Sequence, residues 1–379
     1  MTLSAADRER YSRHLALREI DEAGQERLKA ARVLVIGAGG LGSPSTLYLA
    51  AAGVGTLGIV DCDQVDVSNL QRQVLYDTGS IARPKTEAAR DRLLALNPEL
   101  NLIAHQVELR AANVIGIFAG YDVVLDGTDR FATRFLANDA CVILRKPLVS
   151  AAIHRFEGQA LTYVPGRSPC YRCLFPEPPT DGLIPNCAEA GVLGVLPGVM
   201  GTIQATEAIK IIVGIGDPLL GRLLTYDALE MRFAEFRFAR RSDCAVCGDH
   251  PTITQPRDPP ELCSADALAA VTRLTARELR AALQGGPDQP VVIDVRESRE
   301  FAAGHLPGSL HISITELAQC LDQIPEGRTT VFVCRSGARS LTACRIAARA
   351  GCKRLAHLEG GLLEWAKEVD ADLVVAPAG

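Results

Sequence analysis

Short apolar runs alternate with amphipathic stretches through the first half of the chain. Arg32 to Gly37 (Arg-Val-Leu-Val-Ile-Gly) reads as a strand buried on both faces, and the pattern behind it predicts a helix over 41–52. The alternation repeats as strand 56–61, helix 85–96 stopped by Asn97-Pro98, strand 101–109, helix 112–119 and strand 121–126. Strands that alternate with helices pair in parallel, so the expected fold is α/β, a Rossmann-like doubly wound sheet. From 148 to 164 and from 219 to 238 the helical period disappears, which predicts an antiparallel extension at one end of the sheet. A Pro-rich loop, 175–185, lies between these stretches. The most apolar segment, 191–216, is interrupted by Pro197, Glu207 and Lys210 and reads as a buried helix rather than a membrane span. Residues 1–29 form a charged amphipathic helical pattern, unlike a secretion signal.

Pro251 to Pro260 holds four prolines and little apolar material, as a linker does. A new rhythm follows: helix 275–284, strand 291–295, strand 330–333, helix 340–350. The expected organisation is a domain over 1–249, a linker over 250–270, and a smaller α/β domain over 271–379. A length of 379 residues accommodates this, since domains run to roughly 100–200 residues.

The net charge of −5, with no basic arm or stripe, argues against a nucleic-acid binder. Twelve cysteines raise the question of disulfides, but four of them form two Cys-x-x-Cys pairs and no secretion signal precedes them. A reducing cytoplasm is the expected compartment.

Gly37-Ala38-Gly39-Gly40-Leu41-Gly42 follows the first strand and opens a helix. Glycines there bring backbone N–H groups close to phosphate at a helix N-terminus, and Asp61, closing the second strand, can bond a ribose hydroxyl. This much fits an NAD-dependent dehydrogenase equally well. Arg72, in Ser68-Asn69-Leu70-Gln71-Arg72-Gln73, and Lys85 then supply two cations, more than a pyrophosphate needs and suited to a triphosphate. Asp129, just past strand 121–126, either holds Mg²⁺ between phosphates or caps the next helix.

With these residues the chain resembles the ubiquitin-activating-type adenylyltransferases of the MoeB/ThiF group, over residues 1 to about 249. The group serves molybdopterin and thiamine synthesis and related sulfur-carrier pathways. The resemblance implies that Gly40, Asp61, Ser68, Asn69, Leu70, Gln71, Arg72 and Lys85 contact ATP and that Asp129 holds its magnesium. It implies that Arg13 reaches into the site of a neighbouring subunit, hence a homodimer. Arg130 stands at a nucleotide-contact position where the group usually has asparagine.

Cys170-Tyr171-Arg172-Cys173 and Cys244-Ala245-Val246-Cys247 present four thiolates with the spacing of a structural zinc site, leaving no position for water. The group has the same four ligands. Cys187, in the Pro/Gly-bounded segment 186–191, belongs to neither pair. It reads either as a small buried hydrophobe or, by resemblance to the crossover-loop cysteine of the group, as a redox or acyl-transfer thiol.

Cys334 follows the apolar run Val331-Phe332-Val333 and opens Cys-Arg-Ser-Gly-Ala-Arg-Ser ahead of a helix. A helix N-terminus and two arginines favour the thiolate there. This loop, with Val292-Ile293-Asp294-Val295-Arg296, Gly304-His305-Leu306-Pro307-Gly308-Ser309 and Leu358-Glu359-Gly360-Gly361, resembles a rhodanese module spanning the second domain. The resemblance implies a Cys334 persulfide cradled by the N–H groups of 335–339, with Asp294 and Arg296 paired for structure and His305 a structural hydrogen-bonding group. A cysteine phosphatase would need its arginine at 340, where this chain has Ser340.

Together the two resemblances imply one reaction sequence. ATP and Mg²⁺ adenylate the C-terminal glycine of a small β-grasp carrier ending in Gly-Gly. Sulfur from thiosulfate or a cysteine desulfurase passes through Cys334 to the adenylate, and Cys187 frees a thiocarboxylate. The alternatives are activation of a ubiquitin-like modifier for conjugation through a cysteine thioester, and a scaffold without turnover. A rhodanese loop has no purpose in the first, and a scaffold should have lost Lys85, Arg72 or Asp129.

Overall fold

The computed structural model describes residues 2–178, 191–258, 271–286, 289–325 and 327–376. These fall in two compact units, the first made of 2–178 with 191–258 and the second of the described residues from 271 onward.

In the first unit, helices α1 (Ala5–Arg10), α2 (Ser12–Leu15) and α3 (Asp21–Ala30) precede β1 (Arg32–Ile36). The chain continues through α4 (Gly42–Ala51), β2 (Thr56–Val60), α5 (Lys85–Leu96), β3 (Asn101–His105), α6 (Ala111–Ala119), β4 (Val123–Asp126) and α7 (Phe131–Leu144). Then come β5 (Leu148–His154), β6 (Glu157–Tyr163), α8 (Tyr171–Leu174), α9 (Leu196–Val213), β7 (Arg222–Asp227) and β8 (Arg232–Arg237). The sheet order is β3-β2-β1-β4-β5-β6-β7-β8, parallel through β5 and antiparallel beyond it. β1, β2 and β4 are unbroken apolar runs because both faces are covered: Val33, Val35, Leu57, Ile59 and Leu125 share a core with Leu49, Leu93 and Ala208 from the helices.

The order in which strands are added reverses at β1, with β2 and β3 on one side and β4 on the other, so a crevice opens at the carboxyl ends of β1 and β4. The glycine loop, Asp61 and the 126–129 turn are all delivered to that edge. The 191–216 segment forms α9, bounded by Pro197 in its first turn and Gly214 at φ 75°. Its buried Glu207 accepts hydrogen bonds from Thr162 Oγ1 (2.8 Å) and the Leu219 N–H (2.7 Å). No helix among the described residues is long and apolar enough to cross a membrane. The strand expected over 101–109 ends at His105, and α7 was not marked by the apolar pattern.

Residues past β8 remain bonded to this unit: the Thr252 N–H donates to Ala245 O (2.9 Å) and the Ala111 N–H to Asp258 Oδ1 (2.6 Å).

The second unit holds β9 (Thr272–Leu274), α10 (Ala276–Leu283), β10 (Val291–Asp294), α11 (Ser298–Ala303), β11 (Leu310–His311), β12 (Thr330–Val333), α12 (Ala338–Arg349), β13 (Leu355–Leu358) and α13 (Gly361–Glu368). All neighbours in its sheet, β11-β10-β12-β13-β9, are parallel. Ile293, Phe332 and Ala343 pack on one face, Val292, Val331 and Leu362 on the other. Asp294 and Arg296, both fully buried, pair at 2.7 Å, and Arg296 also donates to Gly304 O. His305 stacks on Phe301, ring centres 3.9 Å apart, with Nδ1 2.9 Å from Phe301 O. α12 starts at Ala338, two residues before the helix that periodicity predicts, because Gly337 at φ 94° turns the loop into it.

Candidate functional site

Gly37, at φ 84°, turns the chain out of β1, and a Cβ on Gly42 would meet Gly37 O at 1.9 Å. No larger residue fits that turn. Asp61 ties the loop down by accepting from the Ala38 N–H and the Asp63 N–H, each at 2.8 Å. Burial raises the Asp61 carboxyl above the ordinary carboxylate range, opposed by Lys85 and by those two donors. The buried Tyr76 hydroxyl donates to Ala38 O (2.9 Å). Among the described residues, the N–H groups of Gly39, Gly40 and Leu41 have no acceptor within the protein. They stand at the entrance to α4, available to an anion.

The 68–72 run forms a 3₁₀ turn, Val67–Asn69, and its continuation. Asn69 Oδ1 accepts from the Asp66 N–H (3.2 Å), Leu70 packs on the core, and Gln71 is exposed. Arg72 donates to Ser68 O (2.9 Å) and passes close to Gly40, its Cδ 3.8 Å from where a Cβ would sit. Gln71 and Arg72 line a cleft of about 490 Å³ with Pro44, Leu193 and Gly198. Lys85 is buried and pairs at 2.9 Å with Asp63, whose side chain is 58% exposed.

The 126–129 turn abuts the glycine loop, for a Cβ on Gly37 would lie 3.2 Å from Gly127 O. Asp126 is fully buried and accepts from Arg134 Nε (3.1 Å), Ser150 Oγ (2.9 Å) and Thr128 Oγ1 (2.9 Å). Asp129 is exposed and has no bonded partner among the described residues; the helix cap at this point is Arg130, without a side-chain cap bond. Arg130 pairs with Glu108 at 3.5 Å. Arg13 stands exposed on α2, and Cys187 lies outside the described residues. Sequence reasoning missed Asp63, Tyr76, Asp126 and Arg134; only the position of Asp63, two residues past Asp61, signalled its part.

The four cysteines converge. Cys170 precedes α8 and Cys173 lies within it, while Cys244 and Cys247 sit in a turn after β8. All four Sγ atoms lie within 4.8 Å of one another, with Cys170–Cys244 at 3.7 Å and Cys173–Cys247 at 3.4 Å. A tetrahedron of sulfurs about 2.3 Å from zinc has edges of about 3.8 Å, so the cluster matches structural zinc. The Arg241 N–H donates to Cys173 Sγ (3.5 Å). Hydrogen bonds from Cys170 first, then Cys247, pull the Cys173 thiol down to about 6, and those from Cys173 and Cys244 push Cys170 up. A metal held here would clip the antiparallel extension together.

In the second unit Cys334 directly follows β12 and has no exposed surface. Its Sγ accepts from the Gly337 N–H (3.2 Å) and the Ser340 N–H (3.3 Å). The Gly360-Gly361 turn closes on this loop: the Leu362 N–H donates to Cys334 O (2.8 Å), and a Cβ on Gly361 would lie 2.5 Å from that oxygen. Arg339 is held by Glu300 in two bonds of 2.7 and 2.8 Å, so one of the two loop arginines is neutralised. Arg335 donates to Ala376 O (3.2 Å).

Residues 11–246 match the ThiF family and residues 275–368 the rhodanese-like domain. The chain is 45% identical to the probable adenylyltransferase/sulfurtransferase MoeZ of Mycobacterium tuberculosis, over 98% of this chain and 96% of that protein. It is 38% identical to the adenylyltransferase and sulfurtransferase MOCS3 of Aedes aegypti, over 97% of this chain and 88% of that one. It is 50% identical to the sulfur carrier protein adenylyltransferase of Thermus thermophilus, over 67% of this chain and 96% of that protein. Among solved structures, E. coli MccB with ATP shares the fold at a TM-score of 0.56 and 24% identity, over 63% of this chain and 74% of MccB.

Proposed function

The chain belongs to the ThiF family and carries a C-terminal rhodanese-like domain, and from that premise we propose how its two loops act in sequence on a sulfur-carrier protein. It is an adenylyltransferase and a sulfurtransferase, and its family uses ATP. The observation that carries the proposal is a thiol cradled by two backbone N–H groups on the same chain as a glycine loop with free N–H groups.

The first domain, 1–249, binds ATP with its phosphates at the α4 N-terminus. The N–H groups of Gly39, Gly40 and Leu41 face them, Asp61 takes a ribose hydroxyl, and the 68–71 turn and Arg130 border the nucleotide. A carboxylate oxygen of the carrier's terminal glycine bonds to the α-phosphorus as the bond to pyrophosphate breaks. Arg72, Lys85 and, in a homodimer, Arg13 of a second copy meet the charge that leaves with pyrophosphate. Asp129, exposed and unbonded, is free to hold Mg²⁺, which neutralises phosphate oxygens when bound. The hydroxide of a free carboxylic acid leaves poorly, whereas AMP leaves well, so the carbonyl is ready for a sulfur nucleophile.

The second domain, 271–379, follows the connection 250–270 and loads Cys334. Its thiolate forms an S–S bond to the outer sulfur of thiosulfate or of a desulfurase persulfide, and the donor's own S–S bond breaks with its electrons. The outer persulfide sulfur then bonds to the adenylate carbonyl as AMP departs. Cys187 attacks Cys334 Sγ, the thiocarboxylate leaves, and an external thiol reduces the resulting disulfide. A reducing cytoplasm supplies that thiol.

The test is ATP–pyrophosphate exchange against a panel of Gly-Gly-ended β-grasp carriers, molybdopterin-pathway carriers among them. Exchange should require one of them; no carrier-dependent exchange with any of them ends the adenylation reading.

A further inference from the structure

Behind the Cys334 cradle lie two polar side chains that these steps do not use. Ser340, fully buried in the first turn of α12, has its Oγ 3.7 Å from Cys334 Sγ, 2.9 Å from Gly337 O and 3.4 Å from His357 Nδ1. His357, on β13, is buried, and its Nε2 has no hydrogen-bond partner. Burial lowers the basicity of the imidazole, Arg273 on β9 adds to that, and Glu359 and the Gly337 carbonyl oppose it. Arg273 and Glu359 face each other at 3.9 Å. The ring is thus held neutral, with one proton to donate. Nδ1 is the nitrogen that has acceptors beside it.

We propose that the Ser340 hydroxyl is a switchable third donor to the Cys334 sulfur, and that His357 is the positioning residue that lets it switch. While Cys334 is a thiol, its S–H points to Ser340 Oγ and the Ser340 hydroxyl donates to Gly337 O. When the thiolate forms, the hydroxyl turns to the sulfur in a charge-assisted bond. Gly337 O keeps the Leu341 N–H (3.2 Å) throughout, and His357 Nδ1–H takes the second acceptor position that the hydroxyl vacates. The thiolate meets three donors: the N–H groups of Gly337 and Ser340 and the Ser340 O–H. In the step it serves, a sulfur lone pair forms the new S–S bond while the donor's bond breaks, its electron pair leaving with sulfite when the donor is thiosulfate.

The proposal rests on the sulfurtransferase reading, and the experiment separates the two. Cys334 alkylation by iodoacetamide, followed in the whole chain by peptide mass spectrometry, is measured across pH alongside thiosulfate-to-cyanide sulfur transfer. Ser340→Ala should raise the pH of half-maximal alkylation by about one unit, a tenfold loss of thiolate. His357→Leu should match it, and the double variant should be no worse than either. His357→Asn, whose Nδ2 takes the place of Nδ1, should keep the wild-type profile. Additive shifts, or a His357→Leu defect equal at every pH, would overturn the proposal. Should leucine prevent folding, Ser340→Ala and His357→Asn decide alone: no shift in the first, or a full shift in the second, rejects it. Absent sulfur transfer in the wild type would count against the sulfurtransferase reading and leave the alkylation result standing.

Discussion

The loop after β1 and the loop after β12 each carry the chain from the end of a parallel strand into a helix N-terminus, and each turns on a glycine with positive φ, Gly37 at 84° and Gly337 at 94°. They differ in what their N–H groups face. Those of Gly39, Gly40 and Leu41 have no internal acceptor among the described residues, whereas those of Gly337 and Ser340 already converge on Cys334 Sγ. The first loop leaves its donors open, as an anion cradle would, and the nearby Lys85 is paired with a half-exposed Asp63. The second is contracted around one covalently attached atom, and its Arg339 is clamped by a buried Glu300. One backbone device thus leaves its donors open in one place and turns them on a thiol in the other. Internal partners decide which.

If the loops are independent in this sense, removing the sulfur atom should silence one and spare the other. Cys334→Ala is expected to keep carrier-dependent pyrophosphate exchange and to abolish the thiocarboxylate, read by the mass of the carrier. Full thiocarboxylate yield with a physiological sulfur donor would show that the second loop is not the sulfur site. The four-cysteine cluster that fits zinc belongs to the first unit alone. Stripping the metal with a chelator should lower the unfolding temperature of that unit by about 10 °C or more, as loss of several kcal/mol implies, with the second unit's transition unmoved. A shift of both transitions together would mean the units do not melt separately. Lys85→Ala, the converse of the cysteine variant, should cut exchange by about 10²–10³ with cyanide-assay sulfur transfer unchanged. Loss of both activities would break the division.

Much of this was legible because local pattern carried it. β1, β2 and β12 are apolar runs, the four clustered cysteines announce themselves by spacing, and the glycine and Cys334 loops sit where a strand meets a helix. What stayed hidden were partnerships across sequence. Glu300 lies 39 residues from Arg339, and His357 17 from Ser340; neither has a local signal. Counting both loop arginines as free charge was therefore an overstatement that only the Glu300 contact corrects. α7 escaped notice because ten of its residues are buried, and a helix covered on most sides loses the amphipathic period that would mark it.

The Glu300–Arg339 clamp gives the smallest effect and the sharpest view of the contrast, since the carboxylate partner of Lys85 is exposed and Glu300 is buried. Burial pushes the Glu300 carboxyl up, but the hydrogen bonds from Arg339, the Glu297 N–H and the Arg339 charge outweigh that and hold it below the ordinary glutamate range. A carboxyl depressed in the folded state contributes stability that is present above its unfolded value, about 4.3, and is lost as pH falls through the folded value. Glu300→Gln should therefore cost about 2 kcal/mol at neutral pH, read as a fall of several degrees in the second unit's unfolding temperature. Below the folded value the wild type protonates and the gap should close. A gap that persists in acid would mean that packing around the side chain, and not the ion pair, accounts for it.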